Sequence, residues 1–211
     1  ERCETYFVGN NNNARDNSKL TFPYWELSDN DLFALLRPSG QTQLPKLAAA
    51  IQSLKAVSKF NEENNHQPKT VFVKANSHKS VFREWSLKVT PNTIWNFNYL
   101  SEQIGAECVK DWDDQYNGIN ENELGYCSTL RSRVENYKQL PSMSWLIVDS
   151  TSSPTNTVKS KLNSFIQDSQ GGIFRIDVSA VPFEANAREI LVNAIGRCLL
   201  DFCRGENCII N

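Results

Sequence analysis

Residues 144–178 constrain the fold most. There "SWLIV" is a short apolar run, "STSSPTNT" a hydroxyl-rich turn, and "VKSKLNSFIQ" repeats apolar Val158, Leu162, Phe165 and Ile166 at helical spacing. Gly171-Gly172 stops the helix, and "IFRIDV" then alternates as a strand does. Read locally this is a β-α-β unit, which favours parallel pairing with a right-handed crossover. The fold class expected is therefore α/β or α+β, one compact domain with a central sheet, flanking helices and disulfide bridges.

Other segments extend that pattern. Residues 1–22 hold "GNNNNARDNS" and read as a polar arm, leaving 23–211 as the single α/β domain. "SDNDLFALLRP" offers Ser28 as N-cap, Asp31 three residues on, a leucine face and Pro38 as a stop. In "LPKLAAAIQSLKAVSKF" Leu47, Ala50, Ile51, Leu54 and Val57 mark an amphipathic helix. "KTVFVKA", residues 69–75, predicts a strand, and the alternation of Trp85, Leu87 and Val89 a second. Thr90-Pro91 predicts a helix start, and "DWDDQYNGINENELGY" a solvated acidic loop in which the residues of a calcium loop are out of register. "STLRSRVENYKQL" fits a helix or a strand and turn, and residues 182–203 fit one long helix or a strand and hairpin.

The composition narrows function by exclusion. A net charge of -2 gives no global attraction for nucleic acid, and no apolar run nears the ~20 residues of a membrane span. His66 and His78 are the only histidines, no Cys-x-x-Cys occurs, and neither a nucleophile elbow nor a phosphate-binding glycine loop is present. No metal and no bound cofactor is expected. The six cysteines, Cys3, Cys108, Cys127, Cys198, Cys203 and Cys208, form an even set, and the chain starts at Glu1. Together these predict a disulfide-stabilised product freed of a signal peptide and located outside the cytoplasm: secreted, periplasmic or at the cell surface. The bridge connectivity is open.

Three further motifs carry a resemblance. "GYCSTLRS" contains Arg131, "VDSTSS" contains Ser150 and Ser152, and "NAREILV" contains Glu189. Their order over residues 125–195 resembles the Arg, Ser-Thr-Ser, Glu pattern of ecto-ADP-ribosyltransferases. The resemblance implies that Arg131 pairs with dinucleotide phosphates, Ser150 and its neighbours order the site, and Glu189 stabilises charge as the nicotinamide bond breaks, with NAD as substrate. Ala187 stands where arginine-modifying members place a second acidic residue. The leading reading is a non-catalytic module, an effector, toxin or surface-assembly component, that binds a protein or glycan partner. Trp95, Tyr99, Trp112 and Tyr116 are its candidate anchors. ADP-ribosyltransferase or NAD glycohydrolase activity is the alternative.

Overall fold

The computed structural model describes residues 3–9, 18–64, 66–91, 93–148, 156–168 and 171–205. In chain order the regular elements are β1 (Cys3–Gly9), β2 (Lys19–Leu20), α1 (Asp29–Leu36), α2 (Gln43–Glu63), β3 (Ser77–His78), α3 (Lys79–Ser86) and α4 (Leu100–Ala106). They continue with β4 (Val109–Trp112), β5 (Gln115–Ile119), α5 (Glu121–Gln139), α6 (Val158–Gln167), β6 (Ile173–Ala180) and α7 (Ala187–Cys203). Mixed helix and sheet is as the sequence predicts. These elements pack as two compact units: residues up to Leu35 with those from Leu140, and Leu36–Gln139.

The first unit is built on a parallel sheet in the order β2-β1-β6. The N-terminal segment is thus no arm from Cys3 to Gly9; it is the central strand, running from Cys3 opposite Ile173 to Phe7 opposite Asp177. Gly9 closes it with φ +98° and lies so near β6 that a Cβ would stand 2.8 Å from the Ala180 carbonyl carbon, which only glycine avoids. The β-α-β unit is corrected accordingly. "WLIV" forms no strand: a 3-10 turn at Pro141–Met143 leads into turns that bury Trp145 and Leu146, whose carbonyls accept from Phe22 and Tyr24. A short apolar run signals burial alone, and burial is common to strand and turn.

Helix starts were read more faithfully. Ser28 and Asp31 form a capping box, the Ser28 amide donating to Oδ2 of Asp31 at 3.0 Å and the Asp31 amide to the Ser28 hydroxyl at 3.2 Å. Arg197 of α7 pairs with the same carboxylate. Of the hydroxyl run, residues 149–155 lie outside the described residues; Thr157 is the cap of α6, its hydroxyl accepting from the Ser160 amide at 3.1 Å. Residues 187–203 are one helix, entered through two left-handed residues, Ala185 and Asn186.

The second unit packs α2, α4 and α5 around Leu47, Ile51, Leu100, Ile104 and Leu130, all fully buried. "STLRSRVENYKQL" lies wholly within α5 except for Leu140. The predicted acidic loop is a hairpin: β4 and β5 pair antiparallel, Trp112 opposite Gln115, with Asp113-Asp114 as a two-residue turn and Asp113 at φ 37°. The helix expected from Pro91 starts later, at Leu100. The strand expected around Trp85 is not formed: α3 ends at Ser86, its half-buried Phe82 and buried Trp85 stand three residues apart on one face, and Leu87 beyond its end is 77% exposed. Phe82 and Trp85 pack with Phe60 and Phe72, the Phe60 and Trp85 rings meeting edge-on at 5.1 Å.

The expected bridges are not formed among the five described cysteines; Cys208 lies outside them. Cys198 and Cys203 stand five residues apart on one helix, on divergent faces that a disulfide does not span. Cys3 is exposed at the start of β1. Only Cys108 and Cys127, both fully buried, lie within hydrogen-bonding reach of one another.

Candidate functional site

The second unit carries a polar core that fixes one segment in place. Glu107, at the end of α4, is buried and paired with buried Lys74, Nζ to Oε2 at 2.6 Å. Its other oxygen accepts from the Ser53 hydroxyl at 2.5 Å and from Nε2 of Gln103 at 2.9 Å. Such a pair is tolerated in an apolar interior only when its remaining lone pairs are satisfied, as here. The Lys74 ammonium also lies 3.9 Å from the centroid of the Phe82 ring.

The segment held this way is "KTVFVKA", the predicted strand. It belongs to no sheet among the described residues. Instead, side-chain amides stand in for a neighbouring strand. Gln103 accepts from the Phe72 amide at 2.7 Å and donates to the Phe72 carbonyl at 3.0 Å, while Asn61 does the same for Lys69 at 2.7 and 2.8 Å. Phe72 and Lys74 point inward, and Val73 is 63% exposed.

Beside this segment lies a groove of about 310 Å³. Val71, Val73 and Ala75 contribute to it from the segment itself, Gly105 and Ala106 from α4, Val109 and Ile119 from the hairpin, and Leu124 from α5. Its charged lining residues are Glu102 and Arg131. Nε of Arg131 donates to the Ser101 carbonyl at 2.9 Å, and Gly105 lets the guanidinium lie flat on α4, since a Cβ there would meet its central carbon at 3.3 Å. No carboxylate among the described residues pairs with it.

A second concavity, of about 300 Å³, lies within the first unit and is lined by Glu26, Thr157, Lys159, Ser160, Asn163 and Phe202. Burial raises the Glu26 carboxyl above its ordinary value, opposed by the charge of Lys159 and a hydrogen bond from Thr157. One oxygen of that carboxylate is buried without a hydrogen-bond partner among the described residues. Cys198, also shifted upward by burial, feels the same Lys159 and Glu26 charges.

The residues named by the transferase resemblance have other settings. Arg131 lies on α5 in one unit, and Glu189 is exposed in the first turn of α7 in the other. Neither is on a strand, and Ser150 and Ser152 lie outside the described residues. Of the four candidate anchors, Trp95 is core, Tyr99 and Tyr116 are half-buried, and Trp112 projects from the hairpin 69% exposed. Among the described residues no three His, Cys, Asp or Glu side chains gather as a metal would need, and no helix is long and apolar enough to cross a membrane. No protein-family model matches the chain, and comparison with curated proteins finds no match. Gln103, Glu107 and Lys74 carry no sequence signal, because most of their partners are distant in the chain: Phe72 is 31 residues from Gln103, Lys74 33 from Glu107 and Ser53 54 from Glu107.

Proposed function

We propose that this chain is a protein-binding module whose groove in the second unit receives an apolar polypeptide segment. One observation carries the reading: exposed Val73 borders an apolar groove whose guanidinium, from Arg131, has no carboxylate partner within the described residues. Apolar lining with a few placed polar groups is what a peptide or small-ligand site offers, and a charged partner for Arg131 gives such a site direction. Selection from a displayed library of random heptapeptides tests this. The selected sequences are expected to be apolar with one acidic residue, and to lose at least tenfold in affinity against Val73→Glu but not against Leu87→Glu, where Leu87 is even more exposed but does not line the groove. Selected peptides that bind both variants as tightly as the natural chain would contradict it.

The even cysteine set and the juxtaposed Cys108 and Cys127 support a setting outside the reducing cytosol. Burial, and then the neighbouring sulfur, push the Cys108 thiol up to about 12, so both are held as thiols until an oxidant meets them during folding. Refolding with oxidised glutathione is expected to remove two hydrogens, released as two glutathione thiols, and to link the peptides of Cys108 and Cys127. Cysteines that all stay reduced under these conditions would count against that setting.

A further inference from the structure

The proposed function leaves open how the peptide is gripped, and the main chain of residues 71–73 answers that. In an extended chain the N–H and C=O of one residue point to the same edge, and those of its neighbours to the opposite edge. Both main-chain groups of Phe72 reach the one carboxamide of Gln103. That edge is therefore closed. By that rule the groups of Val73 belong to the opposite edge, and no hydrogen bond to the main chain of Val71 or Val73 is formed among the described residues.

We propose that the partner adds a strand to this free edge, an extended peptide bonded to the main chain of Val71 and Val73 with alternate apolar side chains entering the groove. The inference rests on the protein-binding reading above and specifies its mode. Three features support it. The segment has the β-branched composition of a strand, yet among the described residues its main chain is bonded by the carboxamides of Asn61 at Lys69 and Gln103 at Phe72 and by a local turn from Ser77 at Lys74, not by a neighbouring strand. The exposed and inward residues alternate at Phe72, Val73 and Lys74, so a paired strand would present alternate residues to the groove. The edge is also short: the chain bends at Thr70 and Val71 and turns at Ala75 and Asn76, which blunts it against indiscriminate pairing and limits the grip to a few main-chain bonds.

Charge selects the partner's chemistry. Arg131 calls for a carboxylate within the groove, and Glu102 beside it opposes a run of acidic residues. The partner segment thus carries valine, isoleucine or threonine at alternate positions and a single Asp or Glu. This is a polypeptide specificity: the mostly apolar lining suits side chains more than the hydroxyl array of a glycan.

The test uses the full chain and blocked heptapeptides of alternating valine and threonine, in three series: ending in aspartate, ending in asparagine, and N-methylated at alternate amides on one edge or the other. Fluorescence anisotropy is expected to show the aspartate series binding about tenfold tighter than the asparagine series, a difference that disappears with Arg131→Gln. N-methylation on one edge is expected to cost at least tenfold, and on the other edge nothing. If both methylated forms bind like the parent while Val73→Glu still abolishes binding, strand addition is wrong and the docking groove stands. If no series binds below millimolar concentration, both readings fall. The methylated peptides carry the test even where Arg131→Gln disturbs the contact with Ser101.

Discussion

The two concavities are nearly equal in volume and opposite in chemistry. The one in the second unit is walled by valine, alanine, isoleucine and leucine, and its charge belongs to side chains that are outward or solvated; the polar core sits behind it, closed around Glu107. In the first unit the order is reversed, with a carboxylate, an ammonium and hydroxyls lining the concavity and Phe202 as its aromatic residue. The difference separates polar groups that fix a shape from polar groups left to meet solvent. The Glu107 cluster satisfies each of its members and so fixes Phe72 and Lys74, whereas Glu26 keeps one oxygen buried and unmet among the described residues. A satisfied cluster builds a site without belonging to it; an unsatisfied carboxylate is a cost that the first unit bears.

Removing the Glu107 cluster breaks the comparison most forcefully. Lys74→Met leaves a buried carboxylate without its cation and is expected to cost about 3–5 kcal/mol in the second unit, read from denaturant unfolding. The double variant Lys74→Met with Glu107→Leu is expected to recover most of that loss, because neither charge is then buried alone. A double variant no more stable than the single one would mean that the cluster does more than satisfy itself.

Glu26 gives the smaller effect and the pH dependence. Its folded carboxyl keeps its proton above the ordinary value of 4.5, so between that pH and its raised value the native state binds more protons than the unfolded chain. Stability from this group is thus lost as pH rises through the window and stays lost at neutrality. Glu26→Gln is expected to flatten that slope and to add about 0.5 kcal/mol at pH 7, with no change below pH 4.5. A variant less stable at pH 7 than the natural chain would show that Lys159, not burial, dominates the carboxyl.

How much of this the sequence disclosed follows from how local each cause is. The Ser28 and Asp31 box, the apolar stripe of α2 and the Gly171-Gly172 stop before β6 are decided within a few residues, and each is read directly. Period decided wrongly at Trp85, where Leu87 and Val89 imitate a strand and Phe82, outside the window, completes a helix. The central strand β1 was hidden because its partner β6 lies some 170 residues on, and the adjoining asparagine run dominates the composition of the first 22 residues. Residues 69–75 are the instructive case. The sequence predicts a strand there and none is formed, because pairing is a property of a neighbour, and the neighbours here are the carboxamides of Gln103 and Asn61. Arg131 was singled out for a dinucleotide, and its position in a peptide-sized apolar groove depends on α4 packing against α5, which no motif encodes.

Amide hydrogen exchange, resolved by residue in the full chain with and without a heptapeptide of the aspartate series, tests strand addition most directly. The amides of Val71 and Val73 are expected to exchange rapidly in the free chain and to slow at least tenfold when the peptide is bound, while the Phe72 amide, already bonded to Gln103, changes little. Equal slowing at residues 71, 72 and 73, or slowing at none of them with the peptide bound, would contradict the account.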